Sequence, residues 1–180
     1  MSGLRTVMDE LRTQLPAIGA WFGAFVSGPN AGNLALIHLY RELNDVEPAF
    51  GVYGASGAFA ALATTGNIGL RERNLIRLDD GAKPFDVPSA GYQSFSRYPA
   101  VVLRPDTHES ISHALSAEGT AYSQCGTFWT GRNAGQRLLT VVCPDTDAMN
   151  DAHGAIAARD ALLANPIERD VLHILGGPGR

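Results

Sequence analysis

Leu4, Val7, Met8, Leu11 and Leu15 recur at the three-and-four spacing of a helix with one apolar face, so the chain opens on an amphipathic helix. The period then shortens. Residues 23–36 and 126–139 each hold two apolar runs around a turn of Gly and Asn, residues that tolerate positive φ, and each block predicts a β-hairpin. The returning strand of the first hairpin is 34–40. The arms of the second are 120–130 and 136–143.

Around the second hairpin the elements follow in a clear order. Residues 98–103 read as a strand. Pro105-Asp106-Thr107 starts a helix that runs to about 117, with Asp or Thr as its N-cap and Glu109 in its first turn. Pro144-Asp145-Thr146 starts another, which runs to about 164, and 169–175 is the last strand. This β-α-β-β-α-β order is the split βαβ or ferredoxin-like unit. The first half gives α-β-β-α-β, with a strand at 73–78 and no opening strand. Its second helix, 46–63, carries Gly51, Gly54 and Gly57, each costing about 1 kcal/mol relative to Ala in a helix interior. A broken helix is the plainer reading, and a glycine face for close approach to the sheet or a ligand is the other. Residues 79–97, rich in Gly, Pro and Ser, predict a connection that drapes over the body or caps a cavity.

The two hairpin blocks also match residue by residue. Gly23, Phe25, Gly28, Asn30, Ala31, Gly32 and Leu36 agree with Gly126, Phe128, Gly131, Asn133, Ala134, Gly135 and Leu139 at a constant separation of 103. A helix ending at Ala61-Leu62 or Leu162-Leu163 and a short apolar strand follow each block. The pattern predicts an internal duplication: a first repeat over 1–80, a linker over 81–97, a second repeat over 98–176 and a flexible tail over 177–180.

Composition narrows the function classes. The 180 residues are 45% hydrophobic and 18% charged, with a net charge of −4. Lys83 is the sole lysine, so the chain has neither a basic footprint for nucleic acid nor a polybasic membrane patch. It shows no apolar run long enough for a membrane span and no leader pattern, and reads as a cytoplasmic protein. Cys125 and Cys143 fall in apolar strand runs and read as buried small hydrophobes; strand register decides whether they face each other.

This order of elements resembles the dimeric α/β-barrel superfamily. The run 31–59, with its strand, then Arg41-Glu42-Leu43 and a following helix, is most similar to NIPSNAP-type members. The resemblance implies an α+β fold in which two ferredoxin-like repeats, the first lacking its opening strand, form an intramolecular dimeric α/β-barrel. Members of that superfamily include cofactor-free monooxygenases, haem-handling enzymes and small-molecule isomerases.

Strand alternation sorts the candidate chemistry. Leu34, Leu36, His38 and Tyr40 share one strand face; Arg77 and His173 hold equivalent positions in the two halves; Tyr122 and Gln124 share a face of a neighbouring strand. If those faces line the chamber between the sheets, His38, Arg77 and His173 are the catalytic candidates, and Tyr40, Tyr122 and Gln124 the ligand-binding ones. A histidine there serves as a general base or as a haem ligand, and Arg77 as the holder of a carboxylate or enolate oxygen. His108 and His113 lie five apart, one residue too many for two ligands on one helix face. Gly54-Ala55-Ser56-Gly57 is not a nucleophile elbow, and neither a P-loop nor a dinucleotide fingerprint occurs. The reading is a cofactor-free monooxygenase or isomerase for a small apolar molecule, with no metal. The alternatives are a non-catalytic small-molecule or haem-binding protein and an oligomeric accessory protein, and a homo-oligomer is among the expected partners.

Overall fold

The computed structural model describes residues 2–64, 72–79, 91–103, 105–117 and 122–177. Among the described residues, seven strands form one antiparallel sheet: β1 (Gly19–Ser27), β2 (Leu34–Leu39), β3 (Ile76–Leu78), β4 (Gly91–Tyr98), β5 (Tyr122–Phe128), β6 (Arg137–Cys143) and β7 (Glu168–Gly176), in the spatial order β2-β1-β7-β4-β6-β5-β3. The α-helices among the described residues are α1 (Ser2–Gln14), α2 (Val46–Ala55), α3 (Gly57–Thr64), α4 (Pro105–Ala117) and α5 (Thr146–Arg159).

All the helices cover one face. Val7, Leu11 and Leu15 of the α1 region pack with Ala49, Leu36 and Phe59 at one end of the sheet. Ile111, Leu115, Met149 and Ile156 pack on Tyr98, Cys125, Leu139 and Val141 at the other. The opposite face is concave. There the Trp21 indole of β1 donates to Gln93 Oε1 of β4 at 2.7 Å, and the Phe25 and Phe95 rings meet edge-on at 5.9 Å. Those strands are separated by β7. Adjacent strands lie about 4.8 Å apart, so such contacts across an intervening strand require the sheet to curl toward this face. Two irregularities in the β1–β7 register, at Phe22/Gly23 and Phe25/Ser27, supply local bending.

The two hairpins have the same turn geometry. Gly28, Gly32, Gly131 and Gly135 have φ of 88°, 85°, 86° and 84°, the left-handed region that glycine enters without a Cβ penalty. Gly32 N–H donates to Phe25 O and Gly135 N–H to Phe128 O, at 2.9 and 2.8 Å. Each hairpin then pairs with a late strand of the other half in the same register. Gly23, Ala24 and Phe25 oppose Ile174, His173 and Leu172, while Gly126, Thr127 and Phe128 oppose Leu78, Arg77 and Ile76.

The structure moves some expected boundaries. The strand expected at 98–103 is Gly91–Tyr98, all but its last residue inside the expected linker 81–97. Pro99, without an N–H, cannot extend the ladder, and Val102 N–H turns back to Pro99 O at 3.1 Å. Residues 80–90 of that expected linker lie outside the described residues, as does the expected tail from 178 onward. The expected helix 46–63 is broken at Ser56, which is extended (φ −65°, ψ 115°) and whose Oγ accepts from Phe59 N–H at 3.0 Å. Among the described residues, a Cβ on Gly51, Gly54 or Gly57 would meet nothing within 4 Å, so these glycines serve no close approach to any of them. The last helix ends at Arg159 rather than 164, because Asp160 is extended and its carboxylate accepts from Leu162 N–H at 2.8 Å.

Candidate active site

His38, Tyr40 and Tyr53 come together between β2 and α2. The register places His38 opposite Ala20, on the helix face, and Leu36 and Tyr40 pack against the α1–α3 cluster. The hydroxyl of Tyr53 bonds Nδ1 of His38 and lies 3.5 Å from the hydroxyl of Tyr40. The His38 and Tyr53 rings are 5.5 Å apart between centroids. The Tyr53 ring also meets Phe59 at 6.5 Å, and the Arg73 guanidinium lies 4.6 Å from the Phe50 ring centre and 5.7 Å from that of Tyr53. Phe50, Tyr53, Ser56, Phe59 and Arg73 line an open pocket of about 300 Å³.

Burial sets the proton states. It lowers the His38 pKa to about 4, and it raises those of Tyr53 and Tyr40. At neutral pH all three are uncharged. Two proton arrangements satisfy the pair: Tyr53 donates to Nδ1, or Nδ1–H donates to Tyr53 and Tyr53 donates to Tyr40. They differ only in where protons sit along the chain of three rings, so the trio can relay a proton. His38 Nε2 is buried without a partner. Arg73, exposed at the rim, is the cation beside the pocket.

The other expected residues do not join this group. Arg77 and His173 also face the helix side, opposite Thr127 and Ala24. The premise that the strand faces of His38, Arg77 and His173 line the chamber between sheets is therefore corrected. That inner surface belongs to Trp21, Phe25, Gln93, Phe95, Thr140 and their neighbours. The correction follows from register: a one-residue phase decides the face, and these strands are apolar on both. Arg77 is exposed on β3, 5.8 Å from the Trp129 ring, and His173 stacks on Tyr92 at 5.0 Å. Tyr122 and Gln124 do lie on the inner face, where the Tyr122 hydroxyl donates to Gln124 Oε1. Beside them Gln93 Nε2 donates to Thr140 Oγ1 at 2.8 Å, and that hydroxyl to Ser94 O at 2.9 Å. Among the described residues no three His, Cys, Asp or Glu gather as a metal-ligand set. Cys125 and Cys143 are buried thiols not joined in a disulfide; they share the helix face, with Cys125 opposite Leu139 and Cys143 opposite Tyr92. His108 is buried, with Nε2 2.9 Å from Ser112 Oγ.

Tyr53, Phe50 and Arg73 were not legible as site residues. Tyr53 sits in a glycine-rich helix whose apolar pattern has no clear face, and Arg73 precedes a strand of only three residues.

No protein-family model matches the chain, and no curated protein matches it in sequence. Solved structures match over most of both chains. A candidate monooxygenase from Fusobacterium nucleatum subsp. nucleatum superposes with a TM-score of 0.62 at 13% identity, over 98% of this chain and 86% of that one. A candidate monooxygenase from Lactobacillus acidophilus NCFM superposes with a TM-score of 0.53 at 12% identity, over 98% and 90%. The likeness agrees with the architecture described above, a curled seven-stranded antiparallel sheet with helices on one face, an α/β-barrel-like fold. At this identity the likeness is one of fold, and a fold hosts many chemistries. Among the described residues, no helix is long and apolar enough to cross a membrane.

Proposed function

We propose that this α/β-barrel protein runs a cofactor-independent, monooxygenase-type reaction on a small, mostly apolar molecule bound at the Tyr53 pocket. The observation that carries the reading is the bond between Tyr53, which lines the pocket, and the half-buried, uncharged His38. A substrate with an acidic C–H or O–H gives its proton to the Tyr53 oxygen while Tyr53 passes its own to His38 Nδ1. Burial without a countercharge is what makes His38 a weak base here. The substrate anion supplies that countercharge, and Arg73 at the rim holds the anion's oxygen. Dioxygen then oxidises the anion: a methylene becomes a carbonyl, one oxygen atom entering the product and the other leaving as water. The fold shared with two candidate monooxygenases supports this class.

The proposal includes a tandem duplication, with one chemical site per chain. Equal turns, equal cross-pairing and the 103-residue match support the duplication. At that separation His38 and Tyr40 correspond to Val141 and Cys143, buried members of the second half's core. The polar trio thus stands where the matching half has apolar packing. A nearer kinship to NIPSNAP-type proteins is part of the same reading and rests on the run 31–59.

The test is dioxygen uptake with a panel of phenols and activated methylene compounds. Uptake with stoichiometric product is expected from the wild type. Tyr53→Phe and His38→Gln should lower kcat by about 10²–10⁴ with ligand affinity retained, the range set by general acid–base groups. Proton exchange at the substrate without dioxygen uptake would assign an isomerase instead. Ligand binding with no turnover, unaltered in Tyr53→Phe, would leave a binding protein.

A further inference from the structure

A second polar cluster lies on the helix face under α5, apart from the Tyr53 pocket and independent of the reading given to it. The ladder sets Tyr92, Ser94 and Ser96 of β4 beside His173, Val171 and Arg169 of β7. His153 of α5 stands over this grid. It shares a helix turn with Ala152 and Ile156, which pack on the sheet, and the charge of Arg169 reaches it.

Three side-chain atoms in the cluster are buried and lack a partner: Ser94 Oγ and both ring nitrogens of His153. A buried polar atom left unpaired costs about 1–3 kcal/mol, and native proteins carry few. Arg169 is half-buried and donates Nε to Ser96 Oγ at 2.9 Å. Among the described residues no carboxylate pairs with it. A hydroxyl without a partner thus lies two residues along β4 from the serine that a guanidinium without an anion bonds, and the unbonded imidazole of α5 stands within reach of that guanidinium's charge.

The donors outnumber the acceptors, so the complementary occupant is rich in acceptors and negatively charged. Arg favours planar, two-oxygen partners. Val171 and the stacked Tyr92 and His173 rings, 5.0 Å apart, add apolar surface beside the polar groups. Tyr98, also at this face, donates to Leu163 O at 2.9 Å and bonds the side chains of Arg169 and Ser96. We propose that Arg169, His153 and Ser94 form a binding site for a short monocarboxylate, its two oxygens held by Arg169 and its remaining acceptor capacity shared by His153 and Ser94.

Sodium butyrate titrated into ¹⁵N-labelled full-length protein tests this, read at the His153 ring nitrogens and Arg169 Nε. Saturable shifts are expected. Arg169→Lys should weaken binding about tenfold or more, since charge-assisted bidentate bonds are the strong ones. Ser94→Ala should weaken it about two- to tenfold. The His153 titration should move upward with butyrate bound. Ser94→Ala removes only an unbonded hydroxyl and keeps the test valid should the Arg169 variant fail to fold. Resonances unmoved at large butyrate excess would overturn the proposal. So would equal affinity in wild type and Ser94→Ala, or inorganic phosphate binding as tightly as butyrate, which would mean a plain charge effect.

Discussion

Asn30 and Asp170, 140 residues apart, are joined twice: the Asn30 backbone N–H donates to Asp170 Oδ1 at 2.9 Å and its side-chain amide to Oδ2 at 2.8 Å. Asp170 is buried on β7, and Asn30 is in the turn of the first hairpin. The pair fastens a turn of the first half to the last strand of the second. Asp170→Ala leaves two donors without their acceptor and should cost about 2–4 kcal/mol, since bonds to a charged acceptor contribute about 1.5–3 kcal/mol each and overlap in effect. Asp170→Asn retains one acceptor oxygen and should cost less. Urea unfolding of the three proteins checks the order. Equal midpoints for wild type and Asp170→Ala would remove the pair from the account of stability.

Two turn glycines separate backbone strain from crowding. A Cβ on Gly28 would lie 2.3 Å from Arg169 O and 2.5 Å from Asp170 Oδ1, whereas one on Gly32 would meet nothing within 4 Å. Gly32→Ala should therefore cost only the left-handed penalty of about 1–2 kcal/mol. Gly28→Ala carries that penalty plus a collision with the backbone of β7, and should be clearly worse. Gly51 is in a helix with open space at its Cβ, so Gly51→Ala should stabilise by about 0.5–1 kcal/mol. Thermal melts of the three variants read all of these differences.

Stability should fall in mild acid. Burial puts both His38 and His153 near pKa 4, below the ordinary 6.5, and Arg169 adds to the effect on His153. Between pH 6.5 and about 4 the unfolded chain binds protons at these sites and the folded one does not. The unfolded state then holds more protons, and stability rises with pH across that window. His153→Leu removes one of the two sites and should flatten the slope of unfolding free energy against pH from 4 to 6.5. A slope unchanged in that variant would show that His153 titrates normally.

Much of the architecture was readable one element at a time. The opening helix, both hairpins and the Pro-Asp-Thr helix starts each rest on local rules of spacing, turn residues and capping, which operate within a few positions. The two Gly/Asn turns are of this kind: Gly28, Gly32, Gly131 and Gly135 all take positive φ. Strand β4 was hidden because Gly91–Tyr98 has polar or small residues on both faces and follows a Gly- and Pro-rich run. Only its neighbours β6 and β7 give Gln93, Ser94 and Ser96 a buried place.

His38 shows the same division at the candidate site. As a polar residue in an apolar strand it was singled out from sequence alone, and Tyr40 with it. Which side of the sheet it faces was not readable, because the strand is apolar on both faces and register is set by pairing across β1. Its partner Tyr53 lies in α2, and the cation near them, Arg73, precedes β3. Local sequence therefore determined the elements, the turns and the unusual residues. Tertiary structure alone decided the helix-side cluster, because a hydrogen bond such as Tyr53–His38 depends on where packing places two segments, a relation that no spacing along the chain encodes.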